Sequence, residues 1–307
     1  MIIAGPTASG KSTLALELAV ACGGTIINAD ALQIYRDLRV LTARPDAAAE
    51  ASVPHRLYGL LDAAERGSVA RWRDLAAAAI AAARDAGRLP ILVGGTGLYL
   101  RALLSGISPI PDIPAEIRDE ATAIHRRLGG PEFRRRLAEL DPDYALQIHE
   151  GDSQRLIRAW EVVAATGKSL AAWHREAQGS APYRAATILL MPPREALYAA
   201  CDARFAAMVA GGGVGEAAAL AARGLDADLP AMKAVGVPEL LRHLGGDLTL
   251  PQATAAGQQA TRRYAKRQMT WFRHQITPGL TLDEQFSESF FSRSRHFIDG
   301  FLLTLPP

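Results

Sequence analysis

Gly5-Pro6-Thr7-Ala8-Ser9-Gly10-Lys11-Ser12 is the stretch around which the rest of the chain is arranged. Its spacing, G-x-x-x-x-G-K-S, is typical of a loop that holds phosphate groups between a strand and a helix. The glycines let successive backbone N–H groups point inward, and the next helix adds the positive end of its dipole. Lys11 supplies a full charge, and Ser12 is placed to reach a bound Mg²⁺. The stretch therefore predicts a polyphosphate site without specifying the polyphosphate.

Strand and helix patterns alternate around this loop. Apolar runs at residues 1–4, 25–29, 89–93 and 187–191 predict buried strands, and residues 12–22, 68–88 and 98–104 predict helices. The first run is short for a central strand, so the strand is either clipped or begins upstream. Ligands of open α/β sheets bind at the carboxyl ends of strands, which places Asp30 and the turn Gly94–Gly97 near the phosphate loop. The predicted fold class is α/β, with a P-loop-type parallel sheet flanked by helices.

The proline-rich segment 108–114 predicts a domain boundary. From there to about residue 183 the pattern is helical and rich in arginine, without a strand. We therefore expect a catalytic core formed by residues 1–107 and 186–307, and an all-helical insertion at 108–185. Within the core, helices are predicted at residues 194–210, 215–223, 237–244 and 250–275. Residues 44–55 resemble a loop, and the tail from Thr277 has no clear periodicity.

Composition excludes several classes of protein. Of the 307 residues, 49% are hydrophobic and 21% are charged, as in ordinary globular proteins. No uninterrupted run of about eighteen apolar residues is present, so we expect no membrane span. The phosphate loop follows Met1–Ala4 directly, which predicts no signal peptide. Cys22 and Cys201 lie in apolar helical patterns, which predicts buried thiols in a reducing, cytoplasmic compartment and neither a disulfide framework nor a zinc site.

Asp30-Ala31-Leu32-Gln33-Ile34-Tyr35 brings a carboxylate and an amide beside the phosphates. A carboxylate there is able to accept a proton from an attacking nucleophile, and the Gln33 amide suits an adenine edge. The alternative is that Asp30 only caps a helix. The strands at 89–93 and 187–191 end in Gly94 and Pro192 without the strand-end Asp that usually holds Mg²⁺ in nucleotide hydrolases. That feature argues against a kinase or ATPase.

Two basic segments suit RNA. Asp152–Arg158 places Gln154, Arg155 and Arg158 on neighbouring helical turns, and Arg262–Arg273 interleaves cations with aromatic rings. Each has an alternative as a solvated helix face, the first with a salt bridge to Glu161. Arg204 is able to grip an anion together with Lys11, although taken alone it favours a surface position.

At this point the motifs resemble one family along nearly the whole chain, from Gly5 to about His274. The matching segments are GPTASGKS at 5–12, DxxQxY at 30–35, GGTGLYLRALL at 94–104, SQRLIRAWEV at 153–162, AMKAVGVPEL at 231–240 and RRYAKRQMTWFR at 262–273. The phosphate loop alone is shared by many families, but this ordered set is specific. The chain resembles the tRNA dimethylallyltransferase family, whose members prenylate an adenosine beside the anticodon.

The resemblance implies the following roles. The catalytic residues would be Asp30, Thr7 and Arg204, with Asp30 as the general base for the adenosine amine. The loop Gly5, Pro6, Thr7, Ala8, Ser9, Gly10, Lys11 and Ser12 would bind the diphosphate of dimethylallyl diphosphate, with Ser12 on Mg²⁺ as cofactor. The tRNA anticodon stem-loop would contact Asp30, Ala31, Leu32, Gln33, Thr96, Arg118, Gln154, Arg155, Leu156, Ile157, Arg158, Lys233, Lys266, Arg267 and Arg273, with the insertion gripping it. The resemblance also implies a monomer and tRNAs that read codons starting with U.

Two positions depart from the family pattern. Arg44 stands where the family usually has Lys, and Val237 stands where Tyr is frequent, so local RNA contacts there are in doubt. Three other functions remain as alternatives. They are prenyl transfer to a free adenine nucleotide, phosphorylation of a small molecule by ATP, and RNA binding by a regulator without catalysis.

Overall fold

The computed structural model describes residues 1–176, 183–284 and 286–304. These residues form a six-stranded sheet with the strand order β3-β2-β4-β1-β5-β6. The strands are β1 (Ile2–Ala4), β2 (Gly24–Asn28), β3 (His55–Arg56), β4 (Leu89–Gly94), β5 (Thr187–Leu190) and β6 (Leu280–Leu282). Every pairing between them is parallel. The carboxyl ends of the strands therefore meet at one edge of the sheet.

The centre of the sheet is β1, although it is only three residues long. Ile3 lies opposite Val93 of β4 on one side and Ile188 of β5 on the other. All three residues of β1 are buried, as expected for a parallel sheet with both faces covered. A short strand suffices here because it has a partner on each side along its whole length.

Helices cover both faces of the sheet and form the insertion. In chain order they are α1 (Lys11–Ala21), α2 (Ala47–Ser52), α3 (Val69–Asp85), α4 (Gly97–Ser105), α5 (Ala115–Leu140), α6 (Pro142–Gln147), α7 (Ser153–Thr166), α8 (Leu170–Arg175), α9 (Arg194–Met208), α10 (Val214–Ala222), α11 (Val237–Leu244), α12 (Leu250–Gln275) and α13 (Ser289–Leu302). A π-helical turn at Val209–Gly213 joins α9 to α10.

Two hydrophobic cores lie on opposite faces of the sheet. One contains Ile2, Trp72 and Phe272 together with residues of α11. The other contains Ile3, residues of α1, and Phe290 from α13. Neighbouring strand residues point to opposite faces, so Ile2 and Ile3 fall into different cores. Both faces of the sheet are thereby sealed, and the open edge at the strand ends is left for ligands.

The chain divides into two units, residues 1–104 with 182–307 and residues 105–181. These limits lie close to the predicted insertion at 108–185. Among the described residues of the second unit, 105–176, no strand is present. The unit has its own core around Phe133, Leu137 and Leu156. The buried Asp141 carboxylate accepts hydrogen bonds from the Leu170 N–H at 2.9 Å and from the Tyr144 N–H at 3.3 Å.

The α/β fold class is confirmed, and the predicted strands and long helices are present, including α12 over Leu250–Gln275. One expectation was wrong, because residues 44–55 contain α2 and the start of β3. The tail beyond Thr277, for which the sequence pattern predicted no element, contains β6 and α13. Strands of two and three residues are too short to show an alternating pattern, and β6 is defined only by its pairing with β5.

The segment Arg194–Ala222 and the two cysteines bear on the composition-based expectations. By length and composition alone, Arg194–Ala222 would suffice to cross a membrane. Its backbone leaves helical geometry at Gly211 and Gly212, and Cys201 and Phe205 are buried within the protein. Cys201 is thus buried as predicted, whereas Cys22 is only half-buried.

Candidate active site

The phosphate loop connects β1 to α1 in the geometry that its glycines predict. Gly10 has a φ of +87° and a left-handed backbone immediately before α1. A Cβ at this position would also lie 2.5 Å from the ring of Phe286, so only glycine fits. Ala8 has a φ of +64°, an uncommon conformation for a residue with a side chain. Such strain is found at ligand-binding turns.

Three charged side chains meet at this loop. The Lys11 ammonium donates to the Pro6 carbonyl at 3.2 Å, and the Arg204 guanidinium donates to the Thr7 hydroxyl. Burial, with a smaller contribution from Arg204, lowers the pKa of Lys11 to about 8, while the Asp30 carboxylate opposes the shift. Burial also lowers the pKa of Arg204, again against Asp30. The cations are therefore held together in a desolvated place, where an anion would relieve their mutual repulsion.

Two buried polar atoms at the loop have no hydrogen-bond partner among the described residues. They are the Ser9 hydroxyl oxygen and the Arg204 Nε. Leaving a buried donor unpaired costs about 1–3 kcal/mol. The Arg204 Nε belongs to the guanidinium that also contacts Thr7, so an anion bound there would have an unpaired donor within reach. Ser12 is exposed on the first turn of α1, where solvent and a metal ion have access to it.

Asp30 follows β2 and approaches the loop from the side. Its Oδ1 accepts the Leu32 N–H at 2.9 Å, which closes a local turn and caps no helix. Thr96 fixes the same segment, because its hydroxyl accepts the Ala31 N–H at 2.9 Å. Tyr264 from α12 is hydrogen-bonded to Thr96, and burial together with Asp30 raises the pKa of Tyr264. One oxygen of Asp30 is thus used in the turn, and the other is available for a proton.

A cavity joins these groups. Thr7, Asp30, Arg204 and Tyr264 form its polar wall. The remaining wall is mainly apolar and consists of Leu32, Leu41, Phe205, Met208 and Val235 with Thr42 and Thr261. The site therefore has an anion-binding end, a carboxylate and an apolar compartment next to each other. Arg204, which alone suggested a surface residue, is half-buried and belongs to this wall.

The side chains of Gln33 and Arg44 make their contacts within the protein. The Gln33 amide donates to the carbonyls of Thr42 at 2.8 Å and Ala43 at 3.1 Å. Both of its N–H groups are occupied, so the expected bidentate pairing with adenine is not available in this arrangement. The Arg44 guanidinium lies against Gly59, and its buried Nε has no partner among the described residues. Arg44 therefore supports the loop that carries Leu41. Val237, the other position that departs from the family pattern, is fully buried.

The other predicted RNA-binding residues fall into two groups. On the first unit, Lys266, Arg267 and Arg273 are exposed on α12, and Lys233 is exposed with its ammonium 2.8 Å from Asp228. On the second unit, Gln154 and Arg155 are exposed on α7, Arg118, Ile157 and Arg158 are half-buried, and Leu156 is buried. The Leu156 side chain belongs to the core of that unit, so only its neighbours face solvent.

Glu161 engages two of the predicted RNA-binding arginines. Its side chain is 5% exposed and accepts Arg118 at 3.4 Å and Arg158 at 3.2 Å. The salt bridge to Glu161 considered as an alternative for this segment is therefore present, with Arg158 as its partner. The pair neutralises a buried carboxylate, which gives both arginines a structural task whatever else they contact.

The sequence patterns did not single out Gln268, and they identified Tyr264 only as an aromatic ring of the basic segment Arg262–Arg273. Gln268 is 6% exposed, although it lies in a helix whose neighbouring positions are cationic. Its side chain contacts the phosphate loop at Thr7 and the turn at Gly95. The sequence feature that could have identified Gln268 is its position on the apolar stripe of α12, where a polar residue lies between Ala265, Met269 and Phe272.

The comparisons with known proteins agree with this site. Residues 33–275, more than half of the chain, match the family model described as IPP transferase. A tRNA dimethylallyltransferase of Rhodospirillum centenum is 58% identical over 285 residues, covering 92% of this chain and 91% of that protein. The one from Rhodospirillum rubrum is 52% identical, covering 99% and 95%.

A solved structure is also similar. The full-length tRNA isopentenylpyrophosphate transferase of Bacillus halodurans is 34% identical, with a TM-score of 0.72 and coverage of 98% of this chain and 96% of that one. The similarity thus includes the phosphate loop, which lies outside the residues of the family model. This chain belongs to the IPP transferase family of prenyltransferases.

Proposed function

We propose that this protein transfers a dimethylallyl group from dimethylallyl diphosphate to the exocyclic N6 amine of an adenosine in tRNA and releases diphosphate. The target is the adenosine on the 3′ side of the anticodon in tRNAs that read codons starting with U. The relatives and the Bacillus halodurans structure carry names that specify tRNA and a prenyl donor. The observation that carries the proposal is the single cavity that Thr7, Asp30 and Arg204 share with an apolar wall.

The apolar wall suits a branched five-carbon chain. Leu32, Leu41 and Met208 line the cavity beside the phosphate loop. A dimethylallyl group has no hydrogen-bonding atoms, so it gains from burial against such side chains. The diphosphate end would meet Lys11, Arg204 and the loop N–H groups. The two orphaned donors at Ser9 and Arg204 support an anion at this end.

Each polar group of the site has a role in the proposed reaction. When the allylic C–O bond breaks, negative charge grows on the departing diphosphate. Fixed cations and N–H groups stabilise that charge most when they are already in place. The amine nitrogen forms the new C–N bond and loses a proton, which Asp30 accepts on its free oxygen. Thr7 holds Arg204 at the leaving group through its hydroxyl.

Mg²⁺ is part of the proposal. Among the described residues, no cluster of three or more His, Cys, Asp or Glu side chains is present. Mg²⁺ is often held by few protein atoms, with substrate phosphate oxygens and water completing its coordination. The exposed Ser12 hydroxyl would hold it. When bound, the ion neutralises charge on the diphosphate.

The adenosine has to leave its stack to reach Asp30. Flipping a base costs a few kcal/mol in a duplex and less in a loop, which suits an anticodon loop as substrate. The exposed cations Lys266, Arg267 and Arg273 of α12 would bind the phosphate backbone. Unit 105–181 would grip the anticodon stem-loop through the arginines of α7.

One assay tests the proposal. The protein is incubated with labelled dimethylallyl diphosphate and Mg²⁺, with tRNA, AMP or no acceptor. We expect label on a tRNA that reads a codon starting with U, and no label when the target adenosine is replaced by guanosine. Label only on AMP would favour the free-nucleotide enzyme. ATP turnover without prenyl transfer would favour a kinase, and tRNA binding without either reaction would favour a regulator.

A monomeric state and a cytoplasmic location remain predictions, the first to be checked by sedimentation.

A further inference from the structure

Gln268 bridges two loops that are distant in sequence. Its Oε1 accepts the Thr7 N–H at 2.8 Å, and its Nε2 donates to the Gly95 carbonyl at 2.9 Å. The side chain is 6% exposed, so both bonds are made away from solvent. A carboxamide presents one acceptor and one donor side by side, as a peptide group does. Gln268 therefore joins the turn after β1 to the turn after β4.

The bridge requires a close approach. A Cβ on Gly95 would lie 2.2 Å from the Gln268 Nε2 and 3.3 Å from the Gly5 carbonyl. Any side chain at Gly95 would therefore expel the amide. A buried amide without its partners costs about 1–3 kcal/mol per unpaired group. The contact is thus specific to the pair of residues Gly95 and Gln268.

Gln268 holds the backbone of a residue that the proposed reaction uses. Thr7 receives the Arg204 guanidinium on its hydroxyl, and its carbonyl faces the Cys201 thiol at 3.9 Å. Fixing the Thr7 N–H fixes where this hydroxyl and the guanidinium lie. One helical turn earlier on α12, Tyr264 is hydrogen-bonded to Thr96, which in turn holds the Ala31 N–H beside Asp30. The buried face of α12 thereby supports both the leaving-group end and the base.

We propose that Gln268 is a positioning residue that sets the Thr7–Arg204 pair for departure of the diphosphate, while its exposed neighbours on α12 bind RNA. The inference rests on the proposed function. It separates two tasks on one helix, because Lys266 and Arg267 point to solvent and Gln268 points into the core. Loss of Gln268 should therefore change turnover and leave RNA affinity alone.

The test uses Gln268→Leu, which keeps the approximate size, and Gln268→Glu, which keeps the acceptor for Thr7. Gln259→Leu, on an exposed position of the same helix, is the matched control. We expect Gln268→Leu to lower kcat for prenyl transfer about 100-fold, with unchanged Kd for tRNA in a filter-binding assay. Gln268→Glu should retain more kcat than Gln268→Leu, and Gln259→Leu should match the wild type.

A double-mutant cycle shows whether Gln268 acts through Thr7. Thr7→Val removes the hydroxyl that receives Arg204. If Gln268 works by placing that hydroxyl, the double variant loses no more kcat than the worse single variant. Additive losses, a normal kcat in Gln268→Leu, or an equal loss of tRNA affinity would overturn the proposal.

Hydrogen exchange at the Thr7 amide gives a readout that does not depend on activity. It should be slow in the wild type and in Gln268→Glu, and faster in Gln268→Leu. If the wild type transfers no prenyl group to tRNA, the proposed function fails, while this exchange still reports the bridge. If Gln268→Leu does not fold, Gln268→Glu carries the test. Slow exchange of the Thr7 amide with near-normal kcat in that variant would support the proposal. Slow exchange with kcat lowered about 100-fold, or fast exchange with normal kcat, would overturn it.

Discussion

Asp30 illustrates how one residue combines a structural and a chemical task. Its Oδ1 closes a turn with the Leu32 N–H at 2.9 Å, and its carboxylate interacts with Lys11 and Arg204. Asparagine keeps an oxygen for the turn and loses the ability to accept a proton at neutral pH. The two tasks are therefore separable by a substitution that changes no shape.

We expect Asp30→Asn to lower kcat about 100-fold or more, because a positioned general base contributes roughly 10²–10⁴-fold. Affinity for inorganic diphosphate should stay the same, since the loop contacts of the anion are intact. Single-turnover kinetics and calorimetric titration with diphosphate measure the two quantities. A variant with near-normal turnover would mean that Asp30 serves only the turn.

Lys11 gives the protein a pH dependence. Burial lowers its pKa to about 8 from an ordinary value of 10.5. The protonated ammonium attracts diphosphate, so kcat/KM for the prenyl donor should fall as the pH rises through about 8. A pH–rate profile at saturating tRNA measures this limb, and a flat profile between pH 7 and pH 9 would contradict it.

Stability should change in the opposite direction. Between the folded pKa of about 8 and the ordinary 10.5, the unfolded state binds more protons at Lys11 than the folded state. The free energy of unfolding therefore rises with pH through this window on account of Lys11. Urea unfolding at several pH values, compared between the wild type and Lys11→Met, isolates this contribution and separates the loss of activity from alkaline unfolding.

At the scale of the element, α12 has two faces with different tasks. Gln268 and Phe272 are buried, whereas Lys266 and Arg267 are exposed. Arg267 lies over the Tyr264 ring at 5.6 Å, so its guanidinium is held near the site without an acidic partner in that contact. The sequence showed the cations of this helix, but their division from the buried stripe follows from how α12 packs.

Reversal of charge at Lys266 and Arg267 should weaken tRNA binding and make it less salt-dependent. Each phosphate contact contributes about one to the slope of log K against log salt, so the double variant to Glu should flatten the slope by about two. Arg293→Ala, an exposed arginine of α13 paired with Glu284, is the control and should leave the slope unchanged. An unchanged slope in the double variant would place this face of α12 outside the RNA interface.

At the scale of the molecule, the tail completes the sheet. Thr281 of β6 lies opposite Leu189 of β5, and α13 packs against α1 through the core on that face. Leu282, Phe290 and Ile298 are each at most 1% exposed. The tail thus covers an edge strand and one face of the helix that follows the phosphate loop.

Truncation after Gln275 should lower the free energy of unfolding by roughly 5 kcal/mol or more, because burial of each large apolar side chain contributes about 1.5–3 kcal/mol. Leu303→Ser is the control and should change stability little, since Leu303 is 87% exposed. Urea unfolding measures both. A truncated chain with unchanged stability would mean that the tail is dispensable for the sheet.

Much of this molecule follows from local sequence. The phosphate loop, the long amphipathic helices, the runs of buried strand and the all-helical character of the insertion are encoded in short-range periodicity and turn chemistry. Asp30 could be placed near Lys11 because parallel strands end at the same edge of the sheet. These inferences hold because each depends on residues that are neighbours in the chain or on one rule of sheet topology.

The features that could not be predicted from the sequence depend on residues that are far apart in the chain. The strands β3 and β6 exist through pairing with β2 and β5, and their two and three residues show no pattern alone. Gln268 is hydrogen-bonded to Thr7, which lies 261 positions away in the chain. The Gln33 amide donates its hydrogen bonds to the carbonyls of Thr42 and Ala43. A polar side chain reveals its donors and acceptors in the sequence, but the groups that satisfy them are chosen only when packing brings distant backbone within hydrogen-bonding distance.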